Sequence, residues 1–209
     1  MGRMKNMKNN GVLIVLSAPS GCGKGTILNS VLEKNENLFY SISATTREPR
    51  EGEEDGKHYY FVSKDEFRQL IDRDDVLEYT TYCDNYYGTP RKAVEEQLEK
   101  GRDVILEIEV DGAMQIKNSY PNAMFVFILP PSVAELKRRL GKRGTESDEI
   151  IEGRLKEAVN EIAMAYKYDY IIVNDELETA INALNSVIKG EKQTVSRMIN
   201  KIDEVLDNA

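Results

Sequence analysis

A glycine-rich segment at residues 18–26, APSGCGKGT, has the residue types and spacing of a phosphate-binding loop. Gly21 and Gly23 allow the backbone to curl so that successive N–H groups point toward phosphate oxygens. Lys24 neutralises phosphate charge, and the helix predicted to begin near it adds a positive N-terminal end. An apolar run precedes the segment and a helical pattern follows it, as a Walker A loop requires. The predicted triphosphate-binding residues are Ala18, Pro19, Ser20, Gly21, Cys22, Gly23, Lys24, Gly25 and Thr26.

Two positions depart from the Walker A pattern. Ala18 replaces the first glycine, and Gly25 stands where serine or threonine supplies a hydroxyl to Mg²⁺, with Thr26 one position later. We therefore expect Mg²⁺ to be held through water and the nucleotide, with Thr26 nearer a phosphate. Cys22 is expected to contribute backbone only, because no neighbouring base in the sequence would activate its thiol.

A second group of phosphate-binding residue types follows at residues 45–50, TTREPR. Arg47 and Arg50 can make bidentate contacts to phosphate, and tyrosine hydroxyls at positions 59, 86 and 87 can complete its hydrogen bonding. This pattern fits the dianionic phosphate of a nucleoside monophosphate. Composition alone favours a simpler interpretation, in which the arginines lie on a solvated turn and the tyrosines fill a small core.

Charged side chains also mark two later segments. The apolar run VILEIE ends in Glu107 and Glu109, predicted on the same side of the strand, where carboxylates can orient the water shell of Mg²⁺ or the acceptor. The alternative is an acid paired with an arginine at the end of the sheet. In the basic stretch 137–154, Arg139 and Arg143 share a helical face and Arg154 begins the returning helix. These three arginines are expected to converge on the transferred phosphoryl group when a lid closes.

The elements that position these residues alternate along the chain. Apolar runs at 12–17, 104–109, 124–129 and 170–175 predict buried parallel strands. Helices are predicted near 24–34, 91–100, 132–141, 147–166, 176–189 and 191–207. The alternation predicts an α/β fold, a three-layer core with helices on both faces of a parallel sheet. Residues 41–90 interrupt it as a small mixed or antiparallel β insertion, and 137–154 as a lid.

Composition narrows the classes of protein further. The 209 residues fit a single unit, and the net charge of −8 disfavours binding to nucleic acid or to an anionic membrane. Two distant cysteines, Cys22 and Cys83, and a polar N-terminal stretch favour a cytoplasmic protein without a membrane span.

Several further motifs follow one another along the chain: SISATTREPREGEEDGKHYYFVS (41–63), VLEY (76–79), NYYGTP (85–90), ILEIEVDG (105–112), RRLGKRGT (138–145) and IVND (172–175). In this order they resemble the guanylate kinase family, over about residues 11–190. The resemblance implies a P-loop core with a five-stranded parallel sheet at about 11–41, 91–131 and 168–209. It further implies a GMP-binding insertion at about 42–90 and a helical lid at about 132–167.

The resemblance also implies roles for individual residues. GMP is expected among Ser43, Arg47, Arg50, Tyr59, Glu78, Tyr87, Thr89 and Glu109, with its phosphate on the arginines and tyrosines. Glu78 and Thr89 fall where the family reads guanine, and a carboxylate can accept both the N1–H and the 2-amino group of that base. Glu109 stands where the family commonly has aspartate. Asn174 and Asp175 are expected near the adenine of ATP.

The predicted reaction is phosphoryl transfer from ATP, with Mg²⁺, to GMP and to dGMP, by a monomer or small homo-oligomer. One alternative is another nucleoside monophosphate kinase, against which Glu78 and the TTREPR segment argue. A second is a non-catalytic binding module related to guanylate kinases. Against that alternative, the chain retains Gly23, Lys24, Arg143 and Arg154.

Overall fold

The computed structural model describes residues 11–142 and 147–208. Its strands are β1 (Leu13–Ser17), β2 (Leu38–Tyr40), β3 (Ala44–Thr45), β4 (Tyr60–Phe61), β5 (Val76–Tyr82), β6 (Asn85–Pro90), β7 (Asp103–Glu107), β8 (Met124–Leu129) and β9 (Tyr170–Val173). Its helices are α1 (Lys24–Glu33), α2 (Lys64–Asp72), α3 (Arg91–Glu99), α4 (Val110–Ser119), α5 (Val133–Gly141), α6 (Asp148–Ala163), α7 (Leu177–Glu191) and α8 (Val195–Asp207).

Five strands form a parallel sheet in the order β2-β7-β1-β8-β9, which confirms the predicted fold class. Alternate residues of β1 face opposite layers: Ile14 and Leu16 pack in one hydrophobic cluster, Leu13 and Val15 in the other. The first cluster includes side chains of α1, α5, α6 and α7, and the second includes side chains of α3 and α4. Burial on both faces is why β1, β7 and β8 are nearly continuous apolar runs. The strand predicted as buried at 170–175 is instead the edge strand β9, in which Ile171 and Val173 are nearly half exposed.

Two helices and one strand are absent from the sequence prediction. Helix α4 connects β7 to β8, because two parallel strands of one sheet need a long crossover connection. Strand β2 is only three residues long, too short for its apolar pattern to stand out. The helix predicted at 147–166 ends at Ala163 and continues as one 3₁₀ turn, Met164–Lys167.

The insertion forms a second sheet in the order β4-β3-β6-β5. It is mixed, because β3 pairs in parallel with β4, whereas its other strand pairs are antiparallel. It also contains α2, which the β prediction missed. A capping box at the start of α2 was the available signal: Ser63 accepts from the backbone N–H of Glu66, and Glu66 accepts from that of Ser63.

The lid segment does not stand apart from the core. Leu136 and Leu140 of α5 and Ala158 of α6 are buried in the same cluster as β1. By contrast, α8 has no buried residue, and Val195, Val205 and Leu206 are more than half exposed. Within 11–142 and 147–208, no helix has both the length and the apolar character needed to cross a membrane.

Phe67 holds the insertion together, since its fully buried ring packs with Ala44 and Val76 and stacks on Tyr86 at 5.2 Å between centroids. We expect Phe67→Ala to lower the free energy of unfolding by about 3–5 kcal/mol, because it leaves a cavity. Urea unfolding followed by circular dichroism measures this. Leu206→Ala, which truncates a side chain that is 66% exposed, is the control and should cost under about 0.5 kcal/mol. Equal losses in the two variants would contradict this view of the insertion.

Candidate active site

The phosphate-binding loop joins the end of β1 to the start of α1. Gly21 and Gly23 have φ angles of 88° and 79°, in the left-handed region that favours glycine. Asn174 supports the loop from behind, as its side-chain amide donates to the carbonyl oxygen of Cys22 at 2.7 Å. A Cβ at position 23 would lie 2.7 Å from that amide nitrogen, so the loop and its support leave no room for a side chain there.

Lys24 lies beside the acidic end of the neighbouring strand. Leu16 of β1 pairs with Glu107 of β7, and the Lys24 Nζ is 3.9 Å from Glu107 Oε1. Burial lowers the pKa of Lys24, while Glu107 and Glu109 act in the opposite direction. Cys22 plays a different part, because burial raises the pKa of its thiol to about 12 and so keeps it protonated. Lys24 is thus the cationic side chain of the loop, and it lies next to the carboxylate of Glu107.

A cavity of about 940 Å³ lies over the loop. All nine predicted loop residues line it, together with Arg50 from the insertion and Arg154 from α6. Arg154 also donates to Ser20 Oγ of the loop. Acidic side chains share the cavity: Glu157 and Glu161 line it from α6, and burial, followed by Glu109, raises the pKa of Glu161 to about 7. Both cationic and anionic groups therefore line the space that faces the loop.

A smaller cavity of about 240 Å³ lies between the two sheets. Five of the residues predicted to surround the monophosphate line it, namely Ser43, Tyr59, Glu78, Tyr87 and Glu109. Glu107 and Glu109 form part of its wall. Tyr82 and Glu109 line both cavities, so the two spaces meet there.

Glu78 is the most buried acid of the smaller cavity, with 4% of its surface exposed. Its Oε1 accepts a hydrogen bond of 2.6 Å from Thr89 Oγ1. Burial raises the pKa of Glu78 to about 7, Thr89 lowers it and Glu109 raises it. Burial therefore disfavours the charged carboxylate, whereas donors from a ligand would favour it.

Arg47 is held by an acid that the sequence prediction did not include. Its two terminal nitrogens donate to the two oxygens of Glu53, each at 2.9 Å, and its guanidinium lies 5.5 Å from the ring centroid of Tyr59. Glu53 also accepts from the backbone N–H of Arg50 at 2.8 Å. These bonds, first of all those with Arg47, hold the pKa of Glu53 at about 2. The bidentate carboxylate occupies the geometry that a phosphate would take on Arg47.

The remaining predicted residues lie in other places. Arg139 donates to Glu135 at 2.7 Å and to the carbonyl oxygen of Asn174 at 3.0 Å, beside the loop rather than in its cavity. Asn174 is buried, and Asp175 is exposed just after β9. Arg143 lies outside the described residues. Glu109 is not in the strand as predicted, since β7 ends at Glu107 and Glu109 is the N-cap of α4.

The sequence prediction missed several residues that line the cavities. Thr80 and Tyr82 follow Glu78 at a spacing of two on β5, so strand alternation from Glu78 would have found them. No motif or strand alternation in the sequence pointed to Glu157 and Glu161. They are four apart on α6, and only the packing of α5 and α6 against the core turns them toward the loop.

The carboxylates do not by themselves form a metal centre. Among residues 11–142 and 147–208, no three acidic, histidine or cysteine side chains are grouped as metal ligands. Gly25 offers no hydroxyl, and a Cβ built there would lie 4.0 Å from Glu107 Oε1. The oxygens of Glu107 and Glu109 suit Mg²⁺ only in company with a nucleotide and water.

The parallel sheet and the glycine-rich loop between β1 and α1 define a P-loop protein, in which a second cavity joins the one over the loop. The sequence matches the family model for guanylate kinase over residues 10–191. The chain belongs to the guanylate kinase family.

Individual relatives agree with this assignment. The chain is 50% identical to a guanylate kinase from Desulfitobacterium hafniense, over 91% of this chain and 95% of that protein. It is 53% identical to one from Carboxydothermus hydrogenoformans, over 91% and 93%. The crystal structure of guanylate kinase from Anaplasma phagocytophilum superposes with a TM-score of 0.74 at 35% identity, covering 92% of this chain and 93% of that one.

The raised pKa of Glu78 predicts that kcat/KM for GMP depends on pH. A carboxylate must be ionised to accept two donors from guanine, so kcat/KM for GMP should fall with decreasing pH below about 7. The phosphate of GMP, with a pKa of about 6, adds its own titration. Initial rates at saturating ATP between pH 5.5 and 8.5 measure both.

Two variants separate these titrations. Glu78→Gln should lose the component near pH 7 and retain that of the phosphate. Glu161→Gln, which removes the other acid whose pKa is about 7, should keep the midpoint. The assignment is wrong if wild type and Glu78→Gln give the same profile.

Proposed function

We propose that the protein transfers the γ-phosphoryl group of ATP to GMP and dGMP, forming ADP and GDP or dGDP. The observation that carries the proposal is the junction of the two cavities at Tyr82 and Glu109. A donor whose phosphates lie on the loop and an acceptor that lies against Glu78 would bring their reacting phosphates together there. In direct transfer the attacking oxygen of the acceptor and the leaving oxygen of the donor lie roughly in line through the transferred phosphoryl group. We further propose that the reaction serves purine nucleotide metabolism in the cytoplasm.

The loop supports ATP as the donor. Residues 18–26 line the larger cavity with glycine-permitted backbone turns, and the N-terminus of α1 follows. We assign Lys24 to the β- and γ-phosphates, where its charge neutralises the transferred group. Mg²⁺ enters with ATP and neutralises phosphate charge when bound. Glu107 and Glu109 are the residues that would hold its water shell.

The smaller cavity supports GMP as the acceptor. Glu78 and Thr89 form a buried acceptor pair for guanine, and adenine offers no adjacent N–H and amino donors to match it. We assign Ser43 to the ribose side of GMP and Glu109 to the place where GMP and ATP come together. The phosphate of GMP is assigned to the arginines and tyrosines, namely Arg47, Arg50, Tyr59 and Tyr87. The selectivity would be large, because the wrong base leaves a buried carboxylate without partners.

Catalysis would rest on charge and position rather than on a nucleophilic side chain. We assign Lys24 and Arg154, which both line the larger cavity, to the transferred phosphoryl group. Arg139 and Arg143 are proposed to join them when the lid closes. Closure would also exclude water, which would otherwise accept the phosphoryl group. Asn174 would keep the loop in shape, and Asp175 remains proposed for the adenine side.

Lys24→Met tests the phosphoryl-transfer assignment. It should reduce GDP formation by about 10²–10³-fold while GMP still binds, because a neutral side chain of similar size cannot stabilise developing phosphate charge. Lys34→Met is the matched control: this lysine lies at the other end of α1, is 55% exposed and pairs with Glu178. Its activity should equal that of the wild type.

The substrate panel decides between the proposed function and its alternatives. ADP formation is measured with GMP, dGMP, AMP, UMP and CMP, against a blank without acceptor. Turnover confined to the guanine nucleotides supports the proposal, whereas turnover with AMP supports another nucleoside monophosphate kinase. GMP binding without turnover would identify a binding module instead.

A further inference from the structure

The strand that carries Glu78 is attached to the core as well as to the insertion. Leu77, its neighbour in β5, is buried in the hydrophobic cluster that contains Val15 of β1 and Ile116 of α4. The pairing of β5 with β6 shifts in register between Val76 and Tyr79, so Glu78 lies within a local irregularity. Strand pairing alone therefore does not define the position of this carboxylate.

Gly112 of α4 provides the surface against which the carboxylate lies. A Cβ at position 112 would lie 2.5 Å from Glu78 Oε2 and 3.1 Å from Glu78 Cδ. The first distance is shorter than non-bonded atoms allow and the second is tight, so a side chain there would displace the carboxylate. One oxygen of Glu78 is thus set by Thr89 and the other by the bare backbone of α4.

Gln115, one turn further along α4, holds the next residue of the strand. Its side-chain amide donates to the carbonyl oxygen of Tyr79 at 2.9 Å and accepts from the Tyr79 N–H at 3.2 Å. β5 is an edge strand of its sheet, so one row of its backbone groups has no strand partner. Gln115 satisfies one donor and one acceptor of that row, as an additional strand would.

We infer that α4 positions the guanine-reading carboxylate, with Gly112 and Gln115 as positioning residues for Glu78. The two residues are three apart and therefore share one face of the helix. The inference rests on the proposed function, because it takes guanine as the ligand of Glu78. Two parallel hydrogen bonds to guanine demand a fixed carboxylate plane, and α4 fixes it before the ligand arrives.

This arrangement divides the acceptor site between two supports. The base-reading wall is fastened to α4 of the core through Gly112 and Gln115. Arg47 and Tyr59 belong to the opposite side of the insertion, where Arg47 is held by Glu53. Base recognition is consequently pre-formed on the core, and it does not depend on how the arginines reach the phosphate.

The experiment replaces Gln115 by methionine, which keeps the length of the side chain and removes both hydrogen bonds. Gln97→Met is the matched control, because Gln97 lies on α3 and accepts one bond from Arg102 at 3.3 Å. For each protein, kcat/KM is measured with GMP and with inosine monophosphate, whose base keeps N1–H but lacks the 2-amino group. Calorimetry of the binding of each of these two nucleotides without ATP, and the KM for ATP, complete the set.

Gln115→Met should lower kcat/KM for GMP about three- to tenfold and that for inosine monophosphate less, so the ratio between them narrows. The midpoint of the GMP pH profile should move below that of the wild type, because a displaced carboxylate is better hydrated. The KM for ATP should not change, and Gln97→Met should match the wild type throughout. Gly112→Ala, where it folds, should have the larger effect of the same kind.

A lowered melting temperature with an unchanged nucleotide ratio and pH midpoint would overturn the inference and leave Gln115 a purely structural role. The proposed function fails in a different way, since wild-type protein would then give no GDP. In that case the calorimetric preference for GMP over inosine monophosphate, compared between wild type and Gln115→Met, still tests the positioning of Glu78.

Discussion

The parallel direction of the main sheet is the constraint on which the site depends. Because β1, β7, β8 and β9 run the same way, their carboxyl ends lie at one edge. That edge brings together the phosphate loop after β1, Glu107 at the end of β7 and Asn174 after β9, although these three parts of the site lie far apart in the chain. The loop needs this neighbourhood, since the amide of Asn174 holds its backbone and Glu107 faces its lysine.

Paired charges explain how a chain with a net charge of −8 can present binding sites for phosphates. Lys24 faces Glu107, Arg47 is bound by Glu53, and Arg139 is bound by Glu135. Each acid lowers the cost of holding a cation in a partly buried place and fixes its orientation. Under the proposed assignment, a phosphate would share or replace these carboxylates, so the local charge at the sites would matter more than the charge of the whole surface.

The insertion and the lid are bound to the core to different degrees. Phe67 forms a small hydrophobic centre inside the insertion, while Leu77 of the same segment belongs to the core cluster. Leu136 and Leu140 of α5 pack on the loop itself, where a Cβ at Gly21 would lie 2.8 Å from a methyl carbon of Leu140. Leu77, Leu136 and Leu140 therefore attach the insertion and the lid segment to the hydrophobic core.

The sequence by itself determined the features that depend on local pattern. The apolar runs predicted four strands of the main sheet, and the helical patterns predicted six helices, because apolar runs and amphipathic spacing are properties of neighbouring residues. The loop from Ala18 to Thr26 was also readable, since its glycines and lysine are adjacent in the chain. The resemblance to guanylate kinases rested on motifs of the same kind.

Only the tertiary structure decided which side chains meet across the chain. The bond of Arg47 to Glu53, the approach of Gly112 to Glu78 and the bridge from Gln115 to Tyr79 join residues whose types are common on any surface. Their spacing carries no periodic signal. Two of the contacts arise from the packing of the insertion on α4, and the bond of Arg47 to Glu53 lies within the segment between β3 and β4. The same holds for Glu78, whose raised pKa follows from burial that a sequence pattern does not encode.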